Sequence, residues 1–156
     1  MIRNPPVCSF RNVFQMYKKP VGENFQLIYE KPNLYLLFIE KSLKLIKNMG
    51  EFGFIIPNSL TGIESAAKVR GLLINKLRIN TLINLKGEIF ENAGVESCIL
   101  MVSNQEPSDK IKYLSLFSGN LDNINFNVVK SDVWRKNRNF LFDISGSEYE
   151  LGIIQK

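Results

Sequence analysis

The stretch Phe52-Gly53-Phe54-Ile55-Ile56-Pro57 decides how the rest of the chain is read. A short, unbroken apolar run closed by proline marks a strand buried on both faces. Such a strand has no solvent side to alternate polar residues onto, and proline removes the next ladder donor. A strand buried on both faces needs helices to cover it. On its N-terminal side, Asn33 follows Pro32 as an N-cap, and Tyr35, Phe38, Ile39, Ser42 and Ile46 recur at helical spacing, which makes Tyr35 and Phe38 core residues. Lys41, Lys44 and Lys47 fall on the other, solvated side, and Asn48-Met49-Gly50 supplies a stop. On the C-terminal side, Thr61 and Glu64 have capping-box spacing, and Ala66, Val69, Leu73 and Leu77 form the buried stripe of a second helix.

Further strands are expected from Ile79 to Leu85 and from Ser97 to Ser103, with a loop from Gly87 to Gly94 between them and a turn over Asn104 to Asp109. The order is loop, helix, strand, helix, strand, strand. It predicts an α/β domain with a largely parallel sheet, in which the last two strands, joined by a short loop, pair antiparallel. Upstream, Asn4 to Pro32 is a long turn-rich segment holding four of the six prolines, Pro5, Pro6, Pro20 and Pro32. Downstream, Ile124, Phe126 and Val128 alternate with Asn125, Asn127 and Val129 as a half-exposed strand. From Ser131 the chain is polar, with Trp134, Phe140 and Phe142 as anchors. The division expected is a catalytic-type unit over 1–130 and a docked linker or the start of a second module over 131–156.

At 156 residues the chain suits one domain, and 45% apolar with 22% charged residues excludes disorder and coiled coil. The longest apolar run, Leu34 to Ile39, is six residues, far short of the roughly 18–20 a membrane helix needs. Met1-Ile2-Arg3-Asn4 carries no apolar signal core, so a cytoplasmic location is expected. Cys8 and Cys98 are far apart and the chain has no histidine, which removes structural zinc and every histidine-based triad or general base; no metal is expected. Both cysteines read as small buried apolar residues. The net charge of +5 is compatible with a polyanionic partner without establishing one.

Asn4-Pro5-Pro6 alone is a proline-stiffened turn. Two prolines also hold the asparagine side chain and a neighbouring carbonyl in a rigid frame, able to accept from one amino group. Asn4-Pro5-Pro6-Val7 resembles the Asn-Pro-Pro-Tyr signature of adenine-N6 DNA methyltransferases, in particular the restriction-modification branch that carries methylase and recognition domains in one chain. Three further segments follow in family order. Asn33-Leu34-Tyr35-Leu36-Leu37-Phe38-Ile39-Glu40-Lys41 is similar to the family's Asp-Leu-Tyr helix. Gly53-Phe54-Ile55-Ile56-Pro57-Asn58-Ser59 resembles the next strand and turn, and Ile89 to Ile99 the loop and strand after it. Together they cover roughly residues 1 to 103.

The resemblance implies a Rossmann-like methyltransferase fold, of which this chain holds the C-terminal half of the catalytic domain. It implies S-adenosylmethionine as methyl donor and double-stranded DNA with a flipped adenine as substrate. Asn4 and Pro5 are carried over as acceptors for the adenine amine, with Pro6, Val7 and Phe90 as substrate-binding residues. Three departures stand out. Val7 occupies the position of the stacking aromatic, Asn33 that of an aspartate, and none of the ten glycines are two apart, so the family's glycine-rich cofactor loop is missing from this sequence. Gly50 and Gly53 read as turn and packing residues, and the cofactor-binding residues stay unassigned. The missing N-terminal half or a companion subunit is the expected partner. The alternative is a non-catalytic DNA-binding or protein-interaction remnant of such an enzyme.

Overall fold

The computed structural model describes Leu27 and residues 33–87, 96–117 and 125–143. Helix α1 (Leu34–Leu45) follows Asn33, whose side chain makes no capping bond. Its buried residues are Tyr35, Leu36, Leu37, Ile39 and Glu40. Phe38, expected in the core, is 41% exposed. The inward stripe runs through Tyr35, Leu36 and Ile39 to the partly buried Leu43 and Ile46, and Phe38 sits a third of a turn away from its centre. Lys41, Lys44 and Lys47 are not buried, as expected. The helix stops at Leu45, and the left-handed residue beyond it is Met49 (φ 61°) rather than Gly50.

Strand β1 (Glu51–Pro57) leads into two 3-10 turns, Asn58–Thr61 and Glu64–Ala66, and then helix α2 (Ala67–Lys76). The capping box expected at Thr61 and Glu64 does not form. Thr61 Oγ1 instead donates to the Asn58 carbonyl at 2.9 Å inside the first turn, and α2 begins three residues after Glu64. The stripe itself holds: Ala66, Val69, Leu73 and Leu77 are all buried. Helix position was set by packing, not by the cap.

Strands β2 (Arg78–Lys86), β3 (Ser97–Ser103), β4 (Lys110–Phe117) and β5 (Asn127–Lys130) complete a sheet in the order β1-β3-β2-β4-β5. β2 and β3 pair antiparallel, as expected of the two strands flanking the 87–94 loop. β1 pairs with β3 antiparallel, β2 with β4 parallel, and β4 with β5 antiparallel. β1, β2 and β4 therefore run one way, which is what helices alternating with strands require. Only β2 and β4 are parallel neighbours, because β3 returns into the gap between β1 and β2 instead of extending an edge. β4 was not expected. On β5 the buried residue is Val129, opposite Ile111, while Phe126 and Val128 face outward at 44% and 49% exposure. The apolar alternation there belongs to the solvent side.

The segment after β5 docks on this core. Helix α3 (Ser131–Lys136) carries Trp134, fully buried, whose ring stacks on Phe142 at 4.6 Å. Trp134 Nε1 donates to the Asp143 carbonyl at 3.0 Å.

Cys98 is fully buried on β3, and burial pushes its thiol up to about 12. At pH 8 that leaves roughly 10³-fold less thiolate than an ordinary cysteine has. In a Cys8→Ser background, Cys98 should resist iodoacetamide in the folded protein and react promptly in denaturant, followed by intact mass. Rapid labelling of the native protein would contradict its burial.

Candidate functional site

The residues singled out for chemistry, Asn4, Pro5, Pro6, Val7 and Phe90, all lie outside the described residues. What the structure does describe is the end of the sheet from which the chain leads, after Lys86, toward Phe90. β1, β2 and β4 end there together, at Pro57, Lys86 and Phe117, since they share one direction. In open α/β sheets the carboxyl ends of the strands are where ligands bind.

At the end of β1, the Asn58 amide donates to the Glu96 carbonyl at 2.9 Å, tying the exit of β1 to the entry of β3. Ser59 and Tyr35 share a hydroxyl–hydroxyl bond of 3.1 Å. Burial raises the Tyr35 phenol above its ordinary value, against the opposing effect of the Ser59 bond, so this hydroxyl stays protonated and acts as a fixed polar contact. Glu40, on the same helix and only 2% exposed, accepts from the Leu27 amide at 3.0 Å and pairs with Lys44 at 3.2 Å. It ties Leu27 to α1.

Beside these, at the ends of β2 and β4, lies a cavity of about 460 Å³. Asn84 and Ser115 face each other in the β2–β4 register, and Lys86 follows Asn84 on the same side of the pleat. All three line the cavity floor. The opposite wall is the segment after α3, including Arg138, Phe142 and Asp143, with Thr61 and Gly62 closing one side. Phe142 donates its amide to the Thr61 carbonyl at 3.1 Å, which joins wall to side.

Arg70 holds that wall. It is fully buried in α2. Its guanidinium donates to the Leu60 and Ile63 carbonyls at 2.8 and 2.7 Å, and to the Asn139 and Phe140 carbonyls at 2.9 to 3.2 Å. Asn139 and Phe140 both have left-handed backbones, φ 56° and 53°, a conformation that costs a residue such as phenylalanine roughly 1–2 kcal/mol. The Phe140 ring lies over Gly71, where a Cβ would come within 2.8 Å of it. The sequence reading missed both the cavity and Arg70. An arginine among the apolar positions of α2 was the available signal, because an unpaired cation is almost never buried.

Gly50 and Gly53 offer no cofactor cradle. A Cβ on Gly53 would strike the Met101 side chain, and one on Gly50 would come 2.9 Å from the Lys47 carbonyl, so both are packed against the chain itself. This agrees with their reading as turn and packing residues. Among the described residues no group of three potential metal ligands occurs, and no helix is long and apolar enough to cross a membrane.

Comparison with known proteins places this geometry. The chain is 25% identical over 117 residues to the type II restriction enzyme and methyltransferase RM.Eco57I of Escherichia coli, an alignment covering 72% of this chain but only 12% of that protein. Among solved structures it resembles the type IIG restriction endonuclease BpuSI, with TM-score 0.66 at 12% identity over 98% of this chain and 22% of that one. A Listeria monocytogenes protein described as a class I S-adenosylmethionine-dependent methyltransferase superposes with TM-score 0.58 at 21% identity, covering 78% of this chain and 37% of its own. These two likenesses are of fold. The Eco57I restriction-modification methylase profile matches residues 1–90, more than half of the chain and inclusive of Asn4-Pro5-Pro6, and on that match the chain belongs to the Eco57I restriction-modification methylase family.

Proposed function

We propose that this chain is part of a site-specific DNA methyltransferase that transfers a methyl group from S-adenosylmethionine to N6 of adenine within a restriction-modification system. The observation that carries the reading is the family match over residues 1–90, which spans the Asn-Pro-Pro signature. Asn4 and Pro5 accept from the amine of a flipped adenine, holding it in line and raising electron density on its nitrogen without any base. Pro6 stiffens that frame, and Val7 and Phe90 contact the base. The cell compartment proposed is the cytoplasm. Residues 1–130 are the proposed catalytic portion, with 131–156 leading toward a target-recognition module.

The chain spans 12% of its E. coli relative, and no two of its ten glycines are two apart, as the family's cofactor loop has them. We therefore assign no residue here to holding S-adenosylmethionine. A further N-terminal portion or a companion subunit supplies that cradle. Isothermal titration of these 156 residues alone with S-adenosylmethionine should give very weak binding or none, and tritiated methyl should not reach DNA. The same chain joined to the cofactor-binding half should bind and transfer. Micromolar binding by the chain alone would refute this division of labour. Failure of the joined enzyme to methylate adenine would instead favour a non-catalytic DNA-binding remnant.

Val7 gives a second test. Aromatic stacking on a base contributes about 1–3 kcal/mol, so Val7→Tyr in the joined enzyme should tighten DNA binding or raise the methylation rate. An unchanged or lower rate with the fold intact would show that Phe90 already supplies the stacking face.

A further inference from the structure

We propose that the outer edge of β5 docks an extended acidic segment of a partner protein, which joins the sheet as one more strand. The proposal is independent of the methyl-transfer reading.

β5 ends the sheet order, with β4 on one side and no strand among the described residues on the other. One bond fixes the direction of its unpaired backbone groups. The Ser131 amide donates to the Asp109 carbonyl at 2.9 Å, one step beyond the Lys110–Lys130 pair of the register. In an antiparallel ladder, hydrogen-bonded pairs alternate with pairs that are not. Lys110–Lys130 and Lys112–Val128 are therefore the pairs that are not. The N–H and C=O groups of Val128 and Lys130 point away from β4, out of the sheet edge, where they form a template for a further strand.

The side chains along this edge select the strand. Val128, Lys130, Lys110 and Lys112 share one face, since paired residues lie on the same side of a sheet and alternate residues along a strand do too. All four are exposed, as is Phe126 just upstream. Lys110 and Lys130 stand directly opposite each other, with Cα atoms about 4.5 Å apart in a pair of this kind, and like charges so placed are destabilising. None of the three lysines forms an ion pair among the described residues. Cations flanking an apolar step call for carboxylates flanking an apolar residue. A second copy of this chain does not fit, because pairing β5 with β5 sets lysines against lysines, the usual protection of an edge from self-association. A nucleic-acid strand would answer the lysines but leave the outward carbonyls of Val128 and Lys130 without a matching row of donors. An acidic peptide strand answers both: its backbone supplies affinity and its side chains specificity.

The probe is the labelled peptide Thr-Glu-Thr-Val-Thr-Val-Thr-Glu, whose glutamates and valines fall on one face of a strand. Its fluorescence anisotropy should rise saturably with the full chain, and exchanging both glutamates for lysine should weaken binding at least tenfold. Lys130→Glu should weaken it by a similar factor while leaving the melting temperature unchanged or higher, since it turns repulsion from Lys110 into attraction. Lost binding then cannot be ascribed to unfolding. Val128→Pro removes a donor from the outer edge and none from the β4 ladder, and should also cost at least tenfold with a cooperative melt retained. No saturable change, equal binding of the lysine peptide, or wild-type affinity in either variant overturns the proposal. A single-stranded DNA octamer that binds at least tenfold tighter than the peptide, and loses that affinity in Lys130→Glu, would assign the patch to a nucleic-acid backbone and overturn it equally.

Discussion

Replacing Arg70 with methionine is expected to destabilise the fold by about 3–5 kcal/mol, the cost of breaking a buried hydrogen-bonded charge network. The substitution keeps most of the side-chain volume and removes every donor. Four backbone carbonyls, those of Leu60, Ile63, Asn139 and Phe140, lose a charged partner at once. Hydrogen bonds to charged groups contribute about 1.5–3 kcal/mol each when counted singly. The sum is tempered because water reaches the half-exposed Asn139–Phe140 side once the wall lets go. Arg70→Lys should rescue little. A lysine presents one point charge, whereas the two loops are bridged by separate nitrogens of a planar fork. Urea unfolding of both variants measures the effect, and a loss below 1 kcal/mol for Arg70→Met would show that the loops hold without the clamp.

How much of this was legible beforehand depended on whether a residue's partners lay near it in sequence. β1 and β3 were readable because runs such as Phe52–Ile56 and Cys98–Val102 are apolar enough to be buried wherever the sheet forms. The stripe of α2 was readable for the same reason. β4 was legible and was missed. Ile111 and Tyr113 alternate with Lys110 and Lys112, a period of two, but Leu114 is buried directly after Tyr113 and breaks the alternation. Phe126 and Val128 misled in the opposite sense, being apolar yet outward. The place of β3 between β1 and β2 was not legible, since strand order is decided by long-range pairing. Arg70 belongs to the same class. Two of the carbonyls it holds lie 69 and 70 residues away, beyond any local pattern.

In the chain joined to its cofactor-binding half, Asn4→Ala should lower methyl transfer to DNA on the order of 10²–10³-fold, the usual loss when one preorganised polar group is removed from a developing charge. On the proposed reading, and with no histidine in the chain, the adenine amine is activated by acceptors rather than by a histidine base. An exocyclic amine conjugated to its ring is a poor nucleophile. Two acceptors placed out of the ring plane draw its hydrogens, localise the lone pair on nitrogen and aim it. The Pro5 carbonyl is backbone and survives any side-chain change, so Asn4 is the acceptor that mutation can remove. Affinity for S-adenosylmethionine should stay within about threefold of wild type, since the side chain acts on the amine; with chemistry rate-limiting, the loss then appears in kcat rather than KM. Asn4→Asp separates position from charge. Its carboxylate still accepts from the amine and should retain more activity than alanine at neutral pH, then lose it as the pH falls through the carboxylate range and one acceptor oxygen is protonated. Single-turnover transfer of tritiated methyl to a duplex containing the recognition site reads both variants. A rate within fivefold of wild type for Asn4→Ala, with cofactor affinity intact, would remove Asn4 from the reaction and with it the assignment of the Asn-Pro-Pro segment to the adenine amine.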